Sequence, residues 1–373
     1  MGATQQACQA EDAASPPIKI GVLLPFSGGV ELYGNQAKMG IDLAAKEINA
    51  GGGILGRPVQ LVYEDDHTRP EHADPAMRKL IDQDKVLAVI GPITSQNLGA
   101  VFPIAEEKKT PLLYATNYEG GKNSRYFFSF STVPNQELAP LFPFMKKKYG
   151  DTFYMLGLDA VWPHLMFALS EPLITEAGGK VVGKKYIPGG NNDLTSVIKE
   201  ISDSKAKVLV YALKGNGVTF IPQAEKQGLL KKITVAYIGL SEADLSSLGG
   251  GQNMHVVVPF VAASDAPKAK EFVSQIKKDA GADAVVSNYA MTHYNAMMAL
   301  KAALEKSGKA DDKEALIDAL VGVEISTPAG HLKMEQNHHS TMNVFLAKTK
   351  GPDLVIEKEL GEIGPGSATA TQK

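Results

Sequence analysis

The sequence predicts an α/β protein of two lobes, each a parallel sheet wound with helices on both faces, and three observations carry the prediction. Short apolar runs alternate with helical stripes along most of the chain. Residues 18–66 read as one complete strand, loop, helix and strand unit. The 373 residues exceed one ordinary domain and fit two lobes joined by several crossings.

In that first unit Ile18, Ile20, Val22, Leu23 and Leu24 form an apolar run closed by Pro25, the pattern of a strand buried on both faces. Ala37, Ile41, Ala44 and Ile48 then recur at spacings of 4, 3 and 4, a single helical stripe. Gly51, Gly52 and Gly53 stop the helix, because glycine takes a C-cap conformation without steric cost. Gly56-Arg57-Pro58 turns the chain into a second strand at 59–63. A strand is predicted at 86–90, a helix at 96–107 and a strand at 111–115, and residues 127–132 lead into a first crossing at Pro134-Asn135-Gln136. The second series has strands at 153–158, 181–186, 208–212 and 234–238, with a helix at 162–177 and others between them. Residues 256–260 carry the chain back, helices at 266–280 and 287–307 return to the first lobe, and a third crossing lies around 328–340.

Composition excludes several functions. A formal charge of −3 and a pI near 6.3 leave no basic surface for nucleic acid. No run approaches eighteen apolar residues, so membrane insertion is not expected. The opening MGATQQACQAEDAASPP lacks the basic and apolar regions of a secretory signal. It reads as the tail of a mature chain with an initiating Met added, although a naturally cytoplasmic protein looks the same. Cys8, the single cysteine, reads as an inert thiol in that tail.

The candidate binding residues sit where predicted strands give way to helices, the edge where wound sheets hold ligands. In Gly91-Pro92-Ile93-Thr94-Ser95-Gln96-Asn97, Thr94 or Ser95 is an N-cap, and the free amides of the next turn favour a carboxylate or an amide oxygen. In the following loop Tyr114 offers a flat wall, and Ala115 and Thr116 complete the strand end, Thr116 with a hydroxyl and an N–H. Across the cleft stand Trp162, as readily core as ligand wall, then Asn216 after Lys214-Gly215, and Ser241-Glu242. A Glu242 carboxylate facing Ser95 and Thr116 would suit a zwitterion, with its ammonium held on that side.

Other signals carry less. Glu64-Asp65-Asp66-His67 lies on a strand end whose side chains alternate, so it does not converge on a metal. His338-His339 reads as solvated loop, and Ser196-Val197-Ile198-Lys199 matches an acylating pair without its companion motifs. With no G-x-S-x-G, Walker loop or strand-linked G-x-G-x-x-G, catalysis has no foothold and no cofactor is expected.

The stretch GVLLPFSGGVELYGNQAKMGIDLAAKEINAGGGILGRPVQLVYEDD resembles the opening of the type I periplasmic substrate-binding proteins, in their leucine/isoleucine/valine-binding branch, and the resemblance continues through most of 18–364. It implies two Rossmann-like lobes, hinged by three crossings, that close on a small solute. Residues 18–134 and 261–335 would form the first lobe and 135–260 and 336–364 the second, with disordered tails at 1–17 and 365–373. Ser95 matches the family's ligand-anchoring serine, and Tyr33 an aromatic that closes over the ligand. Tyr118-Glu119-Gly120 with Pro134-Asn135-Gln136 resembles the urea and short-chain-amide branch, where residues matching Tyr114 and Thr116 touch the ligand. That branch carries two aromatics at positions matching Ala160 and Trp162. Only the second is aromatic here, which points to a different or larger ligand. The function implied is a monomeric periplasmic receptor that delivers an amino acid, an ω-amino acid such as γ-aminobutyrate, or a short amide or urea to the permease subunits of an ABC importer. A cytoplasmic amide or amino-acid sensor controlling a regulator is the alternative.

Overall fold

The computed structural model describes residues 15–190, 193–215 and 219–366. Cys8, Asn216 and most of the two expected tails lie outside the described residues.

The first lobe is a five-stranded, wholly parallel sheet. Its strands are β1 (Ile18–Leu24), β2 (Val59–Asp65), β3 (Ala88–Ile90), β4 (Leu112–Tyr114) and β5 (Phe127–Ser129), in the order β2-β1-β3-β4-β5. All of β1 except Lys19 is buried, as its unbroken apolar run requires. Helices α1 (Glu31–Ala50), α2 (Pro70–Asp82) and α3 (Ser95–Glu107) link consecutive strands. The acids after β2 serve the local loop, since Asp65 accepts from the Phe26 and His67 amides and from the Ser27 hydroxyl at 2.8–2.9 Å.

The second sheet begins after α4 (Pro134–Tyr149). Its strands β6 (Thr152–Leu158), β7 (Lys180–Ile187), β8 (Val208–Ala212), β9 (Thr234–Tyr237) and β10 (Met254–Val258) are parallel neighbours. Helices α5 (Val161–Glu176), α6 (Thr195–Asp203), α7 (Phe220–Lys226) and α8 (Glu242–Leu248) join them. After β10 come α9 (Pro267–Ala280), α10 (Asn288–Ser307) and α11 (Lys313–Leu320). Of these, α10 packs along α1 over the first sheet. A Cβ at Gly40 of α1 would meet the Ala290 carbonyl oxygen at 1.9 Å, so only glycine permits that approach.

The second sheet is mixed rather than parallel throughout. β11 (Glu324–Thr327), β12 (Gly330–Met334), β13 (Ser340–Lys350) and β14 (Asp353–Ile363) extend it beside β10 by antiparallel pairing. Links as short as Pro328-Ala329 and Gly351-Pro352 cannot make the long crossover that parallel strands need. The β11–β12 hairpin therefore joins the second sheet before residue 336, where the sequence placed the return. The 256–260 segment also differs from expectation, because β10 belongs wholly to the second sheet and the chain crosses after it.

The crossings are packed, not solvated. His339 is 1% exposed, its Nδ1 lies 2.8 Å from the Asn337 carbonyl and its Nε2 2.5 Å from the Tyr118 hydroxyl. A carbonyl only accepts, so Nδ1 carries the proton and Nε2 accepts from Tyr118. His338 stacks on Phe128 at 4.3 Å. The reading of this pair as solvated loop is thus corrected, because the crossing wedges both rings against β5. Beside it, Glu137 of α4 is 1% exposed and accepts from Asn117 Nδ2 at 3.1 Å. Burial pushes its carboxyl up to about 7.

A carboxyl whose pKa is higher folded than unfolded favours folding most where it is protonated in both states. The contribution of Glu137 is complete below about 4.5 and is lost as the pH rises to about 7. Glu137→Gln, which keeps an acceptor toward Asn117, is expected to flatten the fall in folding stability across that window by on the order of 2–3 kcal/mol. Urea midpoints of both proteins as a function of pH check this. Parallel profiles would show that Glu137 ionises in the fold at no cost.

Candidate functional site

The loops at the carboxyl ends of the two sheets enclose a cavity of about 190 Å³. The first lobe supplies Val30 after β1, Thr68 after β2, the Ile93–Gln96 turn after β3 and Thr116-Asn117 after β4. The second supplies Leu158 and residues 160–163 after β6, with Lys214 after β8. Tyr33 and Tyr289, on α1 and α10, complete the wall. No described residue that lines it is a carboxylate.

One end of the cavity is polar. Thr94 is the N-cap of α3, its hydroxyl accepting from the Asn97 amide at 3.2 Å, while the Leu98 amide bonds the Thr94 carbonyl. The Ser95 and Gln96 amides therefore have no partner within the helix, and the positive end of its dipole lies with them. The Ser95 hydroxyl donates to Glu119 Oε2 at 2.7 Å, so Ser95 offers the cavity its N–H rather than its hydroxyl. Burial raises the Glu119 pKa, opposed by that bond. Thr116 is 5% exposed and its Oγ1 is buried without a protein partner. A buried hydroxyl left unpaired costs about 1–3 kcal/mol, which a ligand oxygen can recover.

The rest is apolar and aromatic. Trp162 lies in the first turn of α5, with Ala160 and Pro163 beside it, and its Nε1 is buried without a partner. At the seam between the lobes the Tyr33 hydroxyl donates to Asp244 Oδ1 at 2.5 Å and accepts from the Gly215 amide at 3.4 Å. Lys214 Nζ stands 3.2 Å from Asp244 Oδ2 and donates to the Tyr289 hydroxyl at 3.2 Å and to the Gly239 carbonyl. Burial alone would lower the Lys214 pKa, but Asp244 and Tyr289 outweigh it and hold it raised. Burial also drives Tyr33 well above its usual value.

Of the residues expected from the sequence, Tyr33, Thr94, Ser95, Thr116 and Trp162 line the cavity together. Tyr114 and Ala115 are packed behind it. The Tyr114 hydroxyl donates to the Ile93 carbonyl at 2.8 Å, and the Ala115 carbonyl accepts from Thr292 at 2.6 Å. Ser241 caps α8 and bonds Asp244. Glu242 does not face the cavity. Its Oε1 accepts from the Ala262 amide at 2.7 Å, and burial pushes its carboxyl up to about 7. The acid at the seam is instead Asp244, two positions on and turned to the other side of the helix. Its signal was the Ser241-x-x-Asp244 spacing of a capping box, whereas nothing in the sequence marks Tyr289.

The geometry agrees with three comparisons. A Leu/Ile/Val-binding protein homologue from Brucella abortus (strain 2308) is 26% identical over 364 residues, covering 92% of this chain and 90% of the relative. A solute-binding protein from R. palustris in complex with benzoate superposes with a TM-score of 0.85 at 21% identity, covering 96% of this chain and all of the other. The substrate-binding protein LivJ from Streptococcus pneumoniae str. Canada MDR_19A, in complex with isoleucine, gives 0.81 at 20% identity, covering 93% and 99%. The profile of the family described as "Periplasmic binding protein" matches residues 17–353, and the chain belongs to that family.

Proposed function

We propose that this chain is an extracytoplasmic receptor that closes on a small monocarboxylate with an apolar body, an aromatic acid of the benzoate class, and hands it to the permease subunits of an ABC importer. The carrying observation is the cavity of about 190 Å³, walled by Val30, Ile93, Leu158, Val161 and Trp162, with the unpaired Thr116 hydroxyl, the unpaired Trp162 Nε1 and the free α3 amides as its donors. A cavity of roughly 150 Å³ holds benzene, so this one takes a ring and a carboxylate. An anion suits the donor end. An ammonium has no acceptor on the far side, because Glu242 faces Ala262 and no carboxylate lines the wall among the described residues. An amide brings no negative charge to the positive end of the α3 dipole, so it gains less there than a carboxylate. Relatives and structural neighbours named for leucine, isoleucine, valine or benzoate share a carboxylate on an apolar body with this reading.

Function would follow from closure. The ligand contacts loops of both lobes, so it favours the closed arrangement by its differential affinity. No helix among the described residues is long and apolar enough to cross a membrane.

Calorimetric titration with benzoate, benzamide and leucine tests the ligand class, with benzoate expected to bind and benzamide at least about tenfold more weakly. Benzamide binding as well as benzoate would end the carboxylate reading. Thr116→Val is expected to weaken benzoate by about 1–3 kcal/mol, and Ser95→Ala by less, because its amide remains. Glu242→Gln should leave benzoate affinity where it was, and a loss comparable to that of Thr116→Val would return Glu242 to the site.

A further inference from the structure

The Lys214 ammonium has three N–H donors, and the protein meets all of them through the Gly239 carbonyl, the Tyr289 hydroxyl and Asp244. The Tyr33 and Tyr289 rings stand over it, 4.7 and 5.3 Å from Nζ to their centroids. Asp244 is equally committed, to the Tyr33 hydroxyl and to the Ser241 amide and hydroxyl at 2.8 and 2.6 Å. Gly239 leaves space for the arrangement, since a Cβ there would lie 3.0 Å from Asn117 Nδ2 and 3.5 Å from Lys214 Nζ. A carboxylate with two aromatic faces is how proteins hold alkylammonium ligands. Here the chain's own side chain occupies that place, on the wall of the proposed binding cavity.

We infer that Lys214 is a built-in ammonium filling a cation cage made by Asp244, Tyr33 and Tyr289, and that it makes the adjoining cavity select acids that lack an amino group. An amino-acid ligand would bring a second positive charge beside Lys214, with no described lining carboxylate left to receive it. A des-amino acid of the same shape meets no such conflict. The selectivity rests on the carboxylate reading given above, while the cage itself does not.

Wild-type protein, Lys214→Ala and Lys214→Ala/Asp244→Asn are titrated with 4-methylpentanoate, leucine and n-propylammonium, with calorimetry and melting temperature as readouts. Wild type is expected to prefer 4-methylpentanoate over leucine by at least about tenfold and to ignore n-propylammonium. Lys214→Ala should narrow that ratio, and n-propylammonium should raise its melting temperature by refilling the cage. The double variant, with a neutral cage, should lose the ammonium response. Leucine bound by wild type as well as 4-methylpentanoate overturns the selectivity. A folded Lys214→Ala that is silent to n-propylammonium overturns the cage. Removing Lys214 leaves Asp244 buried without its counter-charge, so the single variant can fail to fold. Restoration of its fold by n-propylammonium then supports the cage, and failure to restore it overturns it. If wild type binds neither acid, the carboxylate reading fails while the ammonium response of Lys214→Ala still decides the cage.

Discussion

The Tyr33 hydroxyl, carried on α1 of the first lobe, donates to the Asp244 carboxylate on α8 of the second at 2.5 Å, and this buried contact ties the two sheet edges together. Asp244 is held in turn by Lys214, with side-chain exposures of 5% and 12% respectively. Removing one partner of a buried pair costs about 3–5 kcal/mol, and this one lies within the second lobe, held to the first through Tyr33 and Tyr289. Their charges offset each other locally, and the α3 amides, the Thr116 hydroxyl and the Trp162 Nε1 are the unpaired donors at the cavity.

Much of the fold was written in local patterns. The β1 run, the α1 stripe and the glycine stop specify their unit without help from the rest of the chain, because strand and helix periods differ and each buries the face it shows. The antiparallel edge was less legible. β13 pairs with β12, β10 and β14, and β14 with β13, and their partly polar sequences carry no signal for that pairing. His338 and His339 mislead for a related reason, since polar residues in a link look solvated until β5 packs against them.

The site divides in the same way. Thr94 and Thr116 were legible in place because a cap and a hydroxyl at a strand end have positions fixed by secondary structure, whereas Ser95 was marked by the family resemblance. Glu242 and Asp244 show the limit. Both are acids in the first turn of one short helix, and which of them faces the seam depends on the helix rotation about its axis, a tertiary property. Lys214 reads as a loop lysine in sequence, and only the approach of Tyr289 from α10, 75 residues away, makes it a buried cation.

Selectivity in such a cavity is uneven by construction. Apolar walls such as Val30, Leu158 and Trp162 discriminate ligands by shape, where one methylene alters affinity by only about 1–3 kcal/mol. Buried donors discriminate far more strongly, because a ligand without an acceptor leaves the α3 amides and the Trp162 Nε1 unpaired. A receptor built this way tolerates variation in the solute's body and is strict about its head. The seam adds a second strict test on the opposite wall, where Lys214 already occupies the Asp244 carboxylate, the Tyr289 hydroxyl and the Gly239 carbonyl.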